Sequence, residues 1–263
     1  MATYQGGDGS DLPMLVWEPA EGTPATAGVV LFHGGGLHKG SVDELSPHCR
    51  YLAAHGVFAV SAGYRLITQG ALGIADCLVD VQLALQDFQA LAAVHDLTPE
   101  RVAAGGSSAG GTLALLAAMD NRGAPRAPAD PGVGVGVGVG VGVGAIVALN
   151  APVDLVAYPP DWHRGAGVSA GIAMGGAAEY SPLTFVRPGN PPVLLQHGTQ
   201  DSVVPVDHVR RFRDAMDSAG NDCVLLEYEG AGHAFHYPSP AGHFDAVMST
   251  TRDFLLDRLA VRP

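Results

Sequence analysis

Apolar residues fall along the chain in short runs divided by glycine-rich and polar stretches, and the spacing inside each run predicts its element. Residues 29–32 (VVLF) and 58–61 (FAVS) are brief, unbroken apolar runs, the first halted by His33-Gly34-Gly35-Gly36 and the second preceded by Gly56, as buried strands are. Between them, residues 46–55 offer a cap at Ser46, Pro47 at the first helical position, and Cys49, Leu52 and Ala53 at helical spacing, completing a strand, helix, strand unit. Over residues 74–94, Ile74, Leu78, Val81, Leu85 and Phe88 recur every three or four positions while Asp76, Asp80, Gln86 and Asp87 take the other face, which predicts an amphipathic helix. Residues 101–104, 145–149, 192–196 and 224–228 read as further strands, and 112–119, 206–218 and 244–259 as further helices. Strands alternating with helices predict an α/β fold: a mostly parallel sheet covered on both faces.

Two stretches depart from that pattern. Residues 132–144 alternate strictly between Gly and Val, which has the period of a strand, but so many glycines lose backbone entropy on ordering and add no packing. A slack extension before a true strand at 145–149 is expected, the alternative being an added edge strand that pairs with another subunit. Residues 155–180, rich in Gly, Ala and Pro and carrying Trp162 and His163, are expected to form a loop or short cap.

Composition narrows the possibilities. The 263 residues suit one α/β domain, and 14 Lys and Arg against 26 Asp and Glu leave a net charge of −12, which repels a nucleic-acid backbone. The first residues lack a basic segment followed by an apolar one, and no run of about 18 apolar residues occurs, so a cytoplasmic protein with no membrane partner is expected. Cys49, Cys77 and Cys223 are odd in number and widely spaced, matching neither a disulfide framework nor a zinc site; reduced, buried thiols and no metal are expected.

Candidate chemistry begins at Gly106-Ser107-Ser108-Ala109-Gly110, a G-x-S-x-G pattern with a predicted strand before it and helix formers after it. That is the context of a nucleophile elbow with Ser108 at its apex. His33-Gly34-Gly35-Gly36 follows an early strand, where the amides of Gly35 and Gly36 with that of Ala109 would meet the oxyanion of an acyl-transfer intermediate. A serine hydroxyl needs a base oriented by a carboxylate. In the order Ser, Asp, His, these are Asp201, beyond the strand at 192–196, and His233, beyond the strand at 224–228. Ends of parallel strands converge on one crevice, so residues this far apart in sequence can meet. Among competitors, Asp154 falls one strand early, Asp207 suits a helix start, and His197 reads as structural. His236 reads as a pocket residue, and His48, His55, His95, His208 and His243 as facing solvent. His38, Tyr64, Trp162, Phe235 and His236 are candidates for the substrate pocket.

In this order HGGG, GSSAG, Ser181-Pro182-Leu183, HGTQD and GAGHAF, together with Tyr64-Arg65-Leu66, resemble the α/β-hydrolase esterases of the acetyl esterase and hormone-sensitive-lipase-like group, over roughly residues 27–258. The resemblance implies Ser108 as nucleophile, Asp201 as acid, His233 as base, and Gly35, Gly36 and Ala109 at the oxyanion hole. It also implies hydrolysis of short acyl esters, including acetylated sugars, with no cofactor, and it admits a homodimer. Ser107 stands where the hormone-sensitive-lipase branch carries Asp, and that branch's large N-terminal cap is absent, so the nearer likeness is to small bacterial esterases. A small-amide hydrolase such as an arylformamidase or peptidase could use the same triad. A non-catalytic ligand-binding protein on this fold is the third reading, set against the presence of all three triad candidates.

Overall fold

The computed structural model describes residues 1–119, 142–158, 176–240 and 242–260. Its centre is an eight-stranded sheet: β1 (Ala2–Gln5), β2 (Asp11–Trp17), β3 (Ala27–Phe32), β4 (Val57–Ala62), β5 (Val102–Ser107), β6 (Ala145–Leu149), β7 (Val193–Gly198) and β8 (Cys223–Tyr228). The order across the sheet is β1-β2-β4-β3-β5-β6-β7-β8, with β1/β2 and β2/β4 antiparallel and every other pair parallel. The expected parallel sheet is thus present, extended at one edge by an N-terminal hairpin that the apolar pattern did not predict.

Among the described residues, five helices cover it: α1 (Ser46–Ala53), α2 (Ile74–Ala93), α3 (Ala109–Met119), α4 (Val206–Ser218) and α5 (Phe244–Arg258). Alternate strand residues serve opposite faces, as the two-residue period of a strand requires. Val30 and Phe32 of β3 share a core with Val81 and Leu85 of α2, Leu113 of α3 and Phe212 of α4, while Val29 and Leu31 join Cys49 and Leu52 of α1 and Val247 and Leu255 of α5. The five inner strands β3, β4, β5, β6 and β7 are buried at every position, which is why they read as largely apolar runs.

Several expectations need correction. Helix α1 starts at Ser46 itself, because Val42–Leu45 forms a 3-10 turn that leads into it and leaves Leu45 at the cap. Asp80 does not lie on a solvent face of α2. It is fully buried, where Nε and Nη2 of Arg65 each donate to its carboxylate over 2.8 Å and the amide of Gly7 donates over the same distance. A buried carboxylate is tolerated when paired in this way, and the partner is supplied by a segment the helical pattern does not reveal. Residues 120–141 and 159–175, which hold most of the Gly-Val tract, most of the expected cap and Trp162, lie outside the described residues. Beyond the tract's last valine, the amide of Gly144 donates to Val102 (2.8 Å) and leads into β6.

Candidate active site

The chain turns sharply wherever a parallel strand ends, and these turns gather the candidate residues. At the end of β5, Ser108 adopts φ 50°, a left-handed conformation that costs free energy for a residue with a side chain. The turn closes because its flanks are glycines: a Cβ on Gly106 would lie 2.5 Å, and one on Gly110 2.2 Å, from the carbonyl oxygen of Phe32. The amide of Ser108 is fixed on the carbonyl of Leu149 (2.8 Å), and α3 begins at the next residue.

The loop after β3 is equally constrained. Gly35 and Gly40 have φ 104° and 115°, and a Cβ on Gly35 would fall 2.0 Å from the carbonyl oxygen of Lys39. His33 braces the loop from below. Its ring stacks on Tyr64 (centroids 4.5 Å apart), its Nδ1 lies 2.8 Å from the carbonyl of Gly34, and Tyr64 donates its hydroxyl to the carbonyl of His33 (3.0 Å). Burial holds His33 below its ordinary value, so the ring is neutral near pH 7 and Nδ1 donates to Gly34. Among the described residues, none accepts a hydrogen bond from the amides of Gly35, Gly36 or Ala109, and all three residues line the cavity in front of Ser108.

Loops after β7 and β8 bring the other two members. His233 Nε2 lies 3.0 Å from Ser108 Oγ, and His233 Nδ1 lies 2.7 Å from Asp201 Oδ2. Asp201 Oδ1 accepts from the amides of Val203 (2.8 Å) and Val204 (2.9 Å). Burial pushes the Asp201 carboxyl up, but the hydrogen bond from His233 and those two amides outweigh it and set the carboxyl below its usual value. His197 stays structural: buried in β7, its Nε2 lies 2.9 Å from the carbonyl of Val204. Asp154 is engaged elsewhere, accepting from Arg211 (2.9 Å), and Asp207 sits in the first turn of α4, where it pairs with Arg210 (2.9 Å) instead of capping the helix.

The pocket itself differs from expectation. A cavity of about 380 Å³ is lined by the oxyanion loop, Ser107, Ser108, Asn150, Pro152, Val203, His233, Ala234, Tyr237 and Lys39, the chain's one lysine. His38, Tyr64, Phe235 and His236 are not part of that lining. Tyr64 is spent on His33, Phe235 packs under the sheet against Tyr228, and His236 is wholly buried with Nε2 2.9 Å from Ser107 Oγ and Nδ1 3.0 Å from His48 Nε2. His48 and His208 are likewise buried and do not face solvent. Asn150, which no sequence motif singled out, sits at the end of β6 with φ 44°, its amide nitrogen 3.0 and 3.2 Å from the two ring nitrogens of His233. Its signal was an Asn directly after an apolar strand, a type that tolerates the left-handed region. Among the described residues, no group of His, Cys, Asp and Glu is placed to hold a metal ion, and no helix is long and apolar enough to cross a membrane.

The BD-FAE family profile matches residues 14–216. An ethyl acetate hydrolase of Pseudomonas putida is 36% identical over 129 residues, a stretch covering 45% of this chain and 39% of that protein, so the chain matches well under half the length of this curated relative. Esterase 2 of Thermogutta terrifontis, solved with propionate bound, superposes with a TM-score of 0.81 at 28% identity, covering 99% of this chain and 95% of that one. The same esterase phosphonylated by sarin superposes with a TM-score of 0.82 at 27% identity, covering 97% and 94%.

Proposed function

The chain belongs to the BD-FAE family, and from that premise we propose that it is a serine carboxylesterase that cleaves short-chain acyl esters, acetyl esters among them, through an acyl-enzyme. The observation that carries the reading is the unbroken line from Ser108 Oγ through His233 (3.0 Å) to Asp201 (2.7 Å), set beside three main-chain amides with no internal acceptor among the described residues. Asp201 accepts from Nδ1–H, which leaves Nε2 bare and facing the serine. Ser108 attacks the ester carbonyl as its proton passes to Nε2, and the oxyanion is met by the amides of Gly35, Gly36 and Ala109. The imidazolium then protonates the leaving alkoxide, and the neutral ring takes a proton from water for the second attack, which releases the acid.

A cavity of about 380 Å³ fits a small acyl group. The propionate held by the Thermogutta esterase and the ethyl acetate of the Pseudomonas enzyme's name support acyl chains of that size. Three free cysteines, none of them paired, support a reducing, cytoplasmic setting. Hydrolysis of p-nitrophenyl esters from acetyl to octanoyl tests the reading. The rate is expected to peak at the short end, and Ser108→Ala is expected to lower kcat by about 10⁴-fold or more. A Ser108→Ala enzyme as fast as the parent would overturn it.

A further inference from the structure

A second Ser–His contact lies directly behind the first. Ser107 Oγ is 2.9 Å from His236 Nε2, His236 Nδ1 is 3.0 Å from His48 Nε2, and His48 Nε2 is also 3.1 Å from the carbonyl oxygen of His236. A carbonyl only accepts, so His48 carries its hydrogen on Nε2. That same hydrogen faces His236 Nδ1, which must then be bare, and His236 carries its own hydrogen on Nε2 and donates it to Ser107. Both rings are neutral near pH 7, since burial holds His236 well below its ordinary value and His48 at about 4.

With its oxygen accepting from His236, Ser107 has its own hydrogen to place, and two groups stand within reach of it: Asn150 Oδ1 at 3.5 Å and the hydroxyl of Tyr237. The Asn150 amide is assigned with its oxygen toward Ser107 and its nitrogen toward His233, the orientation in which Ser107 donates and Asn150 accepts. An amide nitrogen 3.0 and 3.2 Å from both ring nitrogens lies over the face of the imidazole, since the in-plane directions are taken by Ser108 and Asp201. Asn150 is 1% exposed, its own amide is held by the carbonyl of Gln196 (2.9 Å), and it keeps a left-handed backbone at φ 44°. A strained residue pinned at both ends and laid against the base has the marks of a positioning device.

We propose that His48, His236, Ser107 and Asn150 form a one-way hydrogen-bond relay, each donating to the next, and that it ends on His233, where Asn150 is the positioning residue that keeps the imidazole in the plane shared by Ser108 and Asp201. The proposal rests on Ser108 and His233 being the reacting pair. It also fixes the role of Ser107: His236 donates to this serine and cannot take its proton, so Ser107 is no second nucleophile.

Two measurements on the full chain test it. Long-range ¹H–¹⁵N spectra of the histidine-labelled protein, assigned with His236→Gln, are expected to show His48 and His236 both protonated at Nε2 at pH 7; a His236 protonated at Nδ1 overturns the relay whether or not any ester is cleaved. In kinetics with p-nitrophenyl acetate, Asn150→Gly suits the left-handed backbone and removes only the side chain. It is expected to lower kcat by about 10- to 100-fold with KM within about threefold, as a misplaced catalytic group does. Ser107→Ala is expected to cost less, and Ser107→Ala/Asn150→Gly to be no slower than Asn150→Gly alone, because Ser107 acts through Asn150. His236→Gln, which can still donate, is expected to recover much of the rate lost in His236→Phe. Parental kcat in Asn150→Gly, or losses that multiply in the double variant, would overturn the proposal.

Discussion

Ser107 and Ser108 are neighbours in the chain, and each hydroxyl has an imidazole within reach, His236 at 2.9 Å and His233 at 3.0 Å. The arrangements diverge at the third member. Behind His233 stands the carboxylate of Asp201, which accepts a hydrogen from Nδ1 and leaves Nε2 free to act as a base. Behind His236 stands the N–H of His48, which donates to Nδ1 and obliges Nε2 to carry a hydrogen. Solvation differs too: the His233 side chain is 25% exposed at the cavity, whereas His236 has no exposure. A Ser–His distance therefore does not identify a nucleophile; the group on the far nitrogen decides whether the histidine pulls a proton or offers one.

Asp201→Asn breaks the comparison hardest. It keeps the shape but can donate to Nδ1, which gives His233 the tautomer of His236, and kcat is expected to fall by about 10⁴-fold in steady-state assays. Next comes Gly110→Ala, which strikes both serines at once, because its Cβ would lie 2.2 Å from the carbonyl oxygen of Phe32 and force the shared turn open. A loss of about 1–3 kcal/mol in chemical denaturation is expected, with kcat down about 100-fold. The smallest effect separates the two histidine environments by pH. His48 has a folded value of about 4 against an ordinary 6.5, so below 6.5 the unfolded chain binds a proton that the native state refuses. Stability is therefore complete above about 6.5 and declines as pH falls toward 4, by up to about 1.4 kcal/mol per pH unit for this group. Urea denaturation at pH 7 and 5 is expected to show a shallower pH slope in His48→Gln than in the parent.

Much of the triad was legible because its signals are local. Turn glycines around Ser108, and loops directly after the apolar runs of β7 and β8, mark strand ends whatever the rest of the fold does. The buried relay was not legible, since His48 lies 188 positions from His236 and nothing near either shows that they meet. Asp80 was misread for the same reason: its place in the helical pattern looks solvent-facing until Arg65, brought from β4's exit, neutralises it. The N-terminal hairpin escaped notice because Pro13 stands within β2, where proline argues against a strand, and its partner β1 at the sheet edge is only four residues long. Large side chains were the expected pocket walls, whereas the wall is built from Pro152, Val203 and Ala234 as much as from Tyr237.

Lys39 carries a practical consequence. Because it is the one lysine and it stands at the cavity wall, any amine-directed coupling to a resin or dye that uses a side chain would fasten the protein by its own doorway. Attachment through carboxylates on the outer face of α4, such as Asp214 and Asp217, would leave that entrance clear.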